Sequence, residues 1–304
     1  MSRFFIITID TEGDNLWNYI KGDVVKTENT LYIPRFQELC ERYAFKPVYL
    51  TNYEMLNDSR YVNYIKPKAD EQKCEIGIHI HAWNNPPLYQ LEKKYDGNPF
   101  LIEYPLDVMR EKFKITYNLF VEKFKTNPVS HRAGRWIMDE RYFTLLEEFN
   151  VNVDCSYTPF ISWANTQGET QNGCDYTDVN YKAHYKGNVL EVPMTIRRRR
   201  LLSTGPMRRR MKALLKTEAV WLRPATTCIQ DMLKLCKSVS KEKDNAYLEF
   251  MLHSSELMPG GSPYFVTKED VEVLYSNLER LFDYVGSLGY RGATLCEFRN
   301  RIAL

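Results

Sequence analysis

The sequence predicts an α/β fold: a barrel of seven or eight parallel strands wrapped by helices. Two observations carry this reading. Short apolar runs of strand length alternate with amphipathic helical runs along the whole chain. The polar residues with chemical capacity fall at the carboxyl ends of those strands: Asp10, His79, His81, Arg132, Asp154 and His253. Parallel barrels collect their chemistry at that face, where the loops after the strands converge.

The elements follow in order. Residues 4–10 (FFIITID) form an apolar run that ends on an acid. Pro34 suits a first helical position, and a helix is expected to about residue 43. Strands are expected at 47–51 (PVYLT) and 74–81 (CEIGIHIH), then a long helix over 106–124. Next come a strand at 128–133, a helix over 139–149 and a strand at 151–156. Later strands are read at 188–194 and 246–253. Thr267, with Asp270 three residues on, caps the clearest helix, read as the last. Its stripe is Val271, Leu274, Leu278, Leu281 and Val285, and Gly289 ends it. A strand at 291–295 (RGATL) is expected to close the sheet.

No repeat, low-complexity tract or linker divides the 304 residues, so residues 1–304 are read as one domain. Hydrophobic content of 44% and charged content of 26% are those of a soluble globular protein. The 41 basic and 39 acidic residues nearly balance and select no class of partner. No aromatic-interleaved basic pattern or helix-turn-helix is present, so nucleic acid is not an expected partner. No apolar stretch reaches membrane-spanning length. Seven cysteines at wide spacing, with no C-x-x-C, read as reduced thiols rather than a disulfide framework. The apolar run at the N-terminus is too short for a signal peptide, and a cytoplasmic protein is expected.

Four constellations carry chemistry. Asp10 and Glu12 lie two apart at a strand end and share a face, where they can bind a divalent metal or divide metal and base roles. A solvated strand-to-loop junction would also place acids there. His79 and His81 share one face of their strand, while Ile76, Ile78 and Ile80 take the other. Two imidazoles so placed can converge on one zinc-sized ion. Arg132 follows a short strand and would need a carboxylate if buried, with Asp10 a candidate; a surface arginine is the alternative. His253 ends an apolar strand before a glycine-rich loop, where it can act as a general acid or be held structurally by that loop.

In this order the pieces resemble the polysaccharide deacetylase family, whose members share a distorted (β/α) barrel. Its first motif, T-F-D-D, is met by Thr8, Ile9, Asp10 and then Thr11 and Glu12. Its second, E-I-G-x-H-x-x-x-H, is met by Glu75, Ile76, Gly77 and His79. Its arginine-centred third motif is met by Arg132, and its final L-x-L-H by His253 in EFMLH. The form of these motifs is similar to a divergent branch associated with cell-surface polysaccharide biosynthesis. Two family positions differ: Thr11 stands where the second metal acid is usual, and Trp83 where the second histidine is usual.

The resemblance implies a metal-dependent hydrolase that removes acetyl groups from N-acetylated amino sugars of a polysaccharide or its precursor. Glu12, His79 and His81 would hold a divalent metal, zinc before cobalt, nickel or iron. Asp10 would be the base, Arg132 its holder, and His253 the general acid. Trp83 and Trp136 are expected to bind the carbohydrate substrate. Two rivals stay open. A glycoside hydrolase on a related barrel would pair Asp10 with Asp154 or Glu256. A catalytically silent carbohydrate-binding homologue would have lost its ligand set. The segment 197–216 (RRRRLLSTGPMRRRMKALLK), which opens on Arg197 and ends on Lys216, reads either as a site for an anionic membrane or lipid carrier or as a solvated helix and loop.

Overall fold

The computed structural model describes residues 3–20, 22–200, 217–243 and 246–302. Its strands are β1 (Arg3–Thr11), β2 (Pro47–Thr51), β3 (Glu75–Ile80), β4 (Ser130–Ala133), β5 (Val153–Asp154), β6 (His184–Lys186), β7 (Val189–Glu191), β8 (Ile196–Arg200), β9 (Thr217–Trp221), β10 (Tyr247–His253) and β11 (Tyr290–Gly292). The helices are α1 (Ile33–Arg42), α2 (Tyr53–Leu56), α3 (Ser59–Asp70), α4 (Leu106–Phe124), α5 (Glu140–Glu148), α6 (Ile229–Val239), α7 (Lys268–Ser287) and α8 (Leu295–Ile302).

The main sheet runs β10-β1-β2-β3-β4-β5-β7-β6. Every pair from β10 to β7 is parallel, and β6 alone turns back antiparallel on β7. One edge of β1 is shared: β11 takes Arg3 to Phe5, and β2 takes over from Ile7. The sheet curls into the expected (β/α) barrel without a complete ladder. Between β7 and β10 the seam is filled by the chain after β7, where the Glu249 amide donates to Thr195 Oγ1 at 2.8 Å. The Met251 amide donates across it to the Leu222 carbonyl at 3.3 Å.

Alternation along the strands builds two cores. Ile7, Ile9, Ile76, Ile78 and Ile80 face outward into one cluster with Phe36, Phe113 and Phe282 of the covering helices. Phe4, Ile6, Val48, Leu50, Val153, Leu190 and Tyr247 plug the barrel floor. The inward face of β1 therefore reads Phe4, Ile6, Thr8, Asp10, apolar at the floor and polar at the mouth. Gly77 allows the close packing within the barrel: a Cβ there would lie 2.6 Å from the Ser130 carbonyl oxygen and 2.8 Å from Leu50.

Three expectations change. The strand read at 291–295 is Tyr290–Gly292 instead, and Leu295 opens α8, so α7 is not the last helix. A capping box explains it: Glu297 N–H donates to Thr294 Oγ1 and Thr294 N–H to Glu297 Oε2, each at 3.2 Å. Second, the described start of the basic segment, Arg197 to Arg200, is strand β8, paired antiparallel with β9 beyond the segment. Third, its first arginines are used within the chain. Arg197 pairs with Glu242 at 2.8 Å and lies over the Tyr181 ring. Arg198 lies over Phe160, and Arg199 pairs with Asp231 at 2.6 Å and Glu218 at 3.0 Å. The described residues thus give no support to a membrane or lipid-carrier contact. Arg208 to Arg210 and Lys216 lie outside them. No helix among the described residues is long and apolar enough to cross a membrane.

Candidate metal and catalytic site

Strand register brings the site together. Asp10 of β1 is level with His253 of β10, and His79 of β3 is level with Arg132 of β4. Glu12 leaves the end of β1 and His81 the end of β3. Glu12 Oε2 lies 2.6 Å from His81 Nε2 and 3.4 Å from His79 Nε2, and the two imidazole nitrogens are 3.0 Å apart. All three side chains are buried. Burial alone would raise the Glu12 carboxyl. The charges of His81 and His253 and hydrogen bonds from both site histidines hold it well below the usual carboxylate range.

The donor set fits a metal. A tetrahedral zinc, with ligands at about 2.0–2.1 Å, keeps its ligand atoms about 3.3 Å from one another. The 3.4 and 3.0 Å separations lie near this, and the 2.6 Å contact of Glu12 with His81 would open slightly. His79 Nδ1 lies 2.9 Å from the Arg132 carbonyl oxygen. Burial lowers the His79 pKa, but Asp10 and Glu12 hold it above its ordinary value, so Nε2 would give up its proton on binding a metal while Nδ1 donates to Arg132. Burial lowers the His81 pKa, favouring the neutral ligand form. Gly134 clears the approach, since a Cβ there would press on the Ile80 carbonyl and lie 3.0 Å from His81 Nδ1.

Arg132 is fully buried at the centre of a second cluster. Its Nη1 donates to Asp10 Oδ1 at 2.6 Å. Its Nη2 donates to Glu249 Oε1 at 2.6 Å and Thr8 Oγ1 at 2.8 Å, and its Nε to the Cys155 carbonyl at 3.0 Å. Trp136 covers it, with the guanidinium carbon 4.8 Å from the ring centre. Burial pushes the Asp10 carboxyl up, but Arg132, then His79 and His253, hold it below its ordinary value. Asp10 is thus an ionised carboxylate with one oxygen fixed. Its other oxygen, Oδ2, lies 3.8 Å from His253 Nε2.

His253 Nε2 faces both acids, at 3.8 Å from Asp10 and 3.9 Å from Glu12 Oε1. Its Nδ1 lies 3.2 Å from Glu256 Oε1 and 3.2 Å from Arg223 Nη2. Arg223 in turn donates to Glu256 at 3.1 Å. Burial would raise Glu256, but Arg223 and His253 keep it below its ordinary value. The Trp17 ring meets His253 edge-on at 4.8 Å.

These groups open on a cavity of about 490 Å³. Asp10, Glu12, His79, His81 and His253 line it, and so do Trp17, Trp83, Trp136 and Trp163. Four of the chain's five tryptophans therefore surround one cavity. The fifth, Trp221, stands behind it, 6.2 Å from Trp136 and 6.4 Å from Trp163. Trp83 also borders a larger cavity of about 1190 Å³, so it forms a wall between the two.

All eight expected site residues meet here: Asp10, Arg132, His253, Glu12, His79, His81, Trp83 and Trp136. Of the acids of the glycosidase alternative, Asp10 lines the cavity, but neither of its candidate partners, Asp154 and Glu256, does. Asp154 is buried against His131 at 2.6 Å, and Glu256 lies behind His253. Glu249, Arg223, Trp17 and Trp163 were not foreseen. Glu249 was findable: it interrupts an apolar strand on the face that ends in His253.

No family model matches the sequence, and no curated protein does. Solved structures do match. A protein from Mycobacterium smegmatis, assigned by inference as a polysaccharide deacetylase, aligns over 100% of this chain and 91% of its own, at a TM-score of 0.57 and 13% identity. The fold is the polysaccharide deacetylase barrel. It is not confined to deacetylases. A 4-α-glucanotransferase from Thermococcus litoralis aligns over 99% of this chain and 41% of its own, at a TM-score of 0.57 and 12% identity. A family 57-type branching enzyme from Pyrococcus horikoshii aligns over 99% and 71%, at a TM-score of 0.54 and 10% identity. Polysaccharide deacetylase barrels thus share their architecture with enzymes that cut and move glycosidic bonds, and the side chains must decide the chemistry.

Proposed function

We propose that the chain is a metal-dependent hydrolase that removes acetyl groups from N-acetylated amino sugars. The observation that carries this reading is one convergence: the ligand atoms of Glu12, His79 and His81 all lie within 4.8 Å of one another. They do so beside an arginine-fixed carboxylate, in a cavity walled by tryptophans that suit the apolar faces of sugar rings.

A divalent metal held by Glu12, His79 and His81, zinc being the natural match, supplies carbonyl polarisation and an acidified water. Asp10 takes the proton of the attacking water on Oδ2, the oxygen that Arg132 leaves free. Arg132 keeps Asp10 ionised and oriented throughout. His253 delivers a proton from Nε2 to the departing amide nitrogen, and Glu256 with Arg223 fixes the ring behind it. Water is consumed, the C–N bond breaks, and acetate and a free amino sugar leave. Trp83 and Trp136 bound the sugar.

The test is acetate release from N-acetylglucosamine oligomers by the metal-loaded protein. Turnover that a chelator abolishes and zinc restores is expected. Cleavage of glycosidic bonds insensitive to chelator would favour the glycoside hydrolase, and sugar binding without release the silent homologue.

A further inference from the structure

The charged side chains facing the cavity are nearly all neutralised within the protein. Asp10 has Arg132, Glu12 has its histidines, Arg223 has Glu256, and Asp96 at the rim has Lys93 at 2.8 Å. Arg135 differs. Among the described residues no carboxylate lies within ion-pair distance of it. Its Nη1 and Nη2 donate to the carbonyls of Asn98 and Gln167, the latter at 2.8 Å. Its guanidinium carbon lies 4.4 Å from the centre of the Phe100 ring.

The backbone is committed to this placement. Arg135 has φ of 57° and Trp136 of 69°, two consecutive non-glycine residues in the left-handed region. Such strain persists only where the surroundings enforce it, and it gathers at functional sites. A clamp on two carbonyls needs donors but no charge, and a neutral amide would serve. Burial depresses the Arg135 pKa to about 10, and the charge of Glu103, which makes no ion pair with it, offsets this only in part.

We propose that Arg135 is the recognition cation for an anionic group on the substrate, a carboxylate or a phosphate attached to or beside the acetylated sugar. The planar guanidinium suits either oxyanion, and the half-buried cavity wall strengthens the pairing over one in open water. This assignment rests on the deacetylase reading for the location of the reacting sugar, but its binding prediction does not require turnover.

The experiment measures calorimetric binding to the zinc-loaded protein at low and moderate salt. The probes are a tetrasaccharide alternating N-acetylglucosamine and glucuronic acid, N-acetylglucosamine 1-phosphate, and neutral N-acetylglucosamine and its tetramer as controls. At least one acidic probe should bind tenfold or more tighter than the neutral sugar of equal size, and salt should erode the difference. The probe that gains identifies carboxylate or phosphate as the anion. Arg135→Gln should bring the acidic-to-neutral ratio close to one, and Arg135→Lys should restore part of it. Should Arg135→Gln fold poorly, the salt dependence of the wild-type ratio decides instead. Equal affinity for acidic and neutral probes in the wild type, or a preference unchanged in Arg135→Gln, would overturn the assignment. Absence of acetate release with the preference intact would count against the deacetylase reading and leave the anion site standing.

Discussion

His81 is the residue on which the metal reading turns, because it stands two positions before Trp83, where the resembling family carries its second histidine. Its Nε2 is within 3.0 Å of both Glu12 Oε2 and His79 Nε2. His81→Ala should lower bound zinc from about one per chain to well under a half after dialysis, measured by elemental analysis. Full retention would remove His81 from the site. A second single-residue effect concerns Glu54. Its Oε1 accepts from Gly13 N–H at 2.7 Å, which fixes the loop beyond Glu12, and burial raises its pKa to about 7. The sign follows from linkage: between about pH 4.5 and 7 the folded state holds a proton that the unfolded chain has lost, so stability falls as pH rises through this window. In metal-free protein, Glu54→Gln should flatten that fall by on the order of 2 kcal/mol in urea unfolding between pH 4.5 and 7.5. Identical slopes would refute the assignment. The histidine pair was legible because strand alternation alone puts both rings on one face. Glu249 was passed over because its partner, Arg132, is 117 positions away and only the curl of the sheet brings them to 2.6 Å.

Between elements, the least expected link runs from α4 to the loop after β3. Lys112 is almost fully buried, and its ammonium donates to the carbonyls of Ala82 at 3.0 Å, Asn85 at 2.8 Å and Pro87 at 2.6 Å. Asn85 answers by donating to the Lys112 carbonyl at 3.1 Å. This lysine therefore fixes the stretch that carries Trp83, whose ring packs on His81 at 4.2 Å. Lys112→Met leaves three carbonyls without their donor and should cost roughly 1–3 kcal/mol. The sharper readout is local: proteolysis within residues 83–100 should accelerate, and KM should rise several-fold more than kcat falls. Unchanged proteolysis would make Lys112 a passive filler. The helix stripe of α4 was readable, yet a lysine inside it looks like a solvent-facing residue until the loop is laid over it. The hairpin β8–β9 was hidden for a related reason. Its arginines read as a free basic run, whereas Arg199 pairs across the strands with Glu218.

At the scale of the molecule, the barrel and its polar mouth followed from alternation and from where acids and histidines end the strands. The seam between β7 and β10 did not, because it depends on single bonds from irregular chain. That asymmetry makes the metal cluster mechanically important. Glu12 extends from β1, and His79 and His81 belong to β3 and its end, so one ion would tie together two strands that are not neighbours, with β2 between them. An ion bound only by the folded state stabilises it by mass action, about 2.7 kcal/mol at a free concentration 100 times Kd. Two probes can locate where that stabilisation acts. Four of the five tryptophans line the mouth and the fifth, Trp221, packs behind two of them, so their fluorescence reports that end, while far-UV circular dichroism reports the whole barrel. If residues 1–304 unfold as one domain, zinc should move both transitions upward together, and Glu12→Gln should abolish both shifts. A zinc shift confined to fluorescence would mean that the mouth unfolds separately from the barrel floor. The single-domain reading would then fail even with the metal site intact.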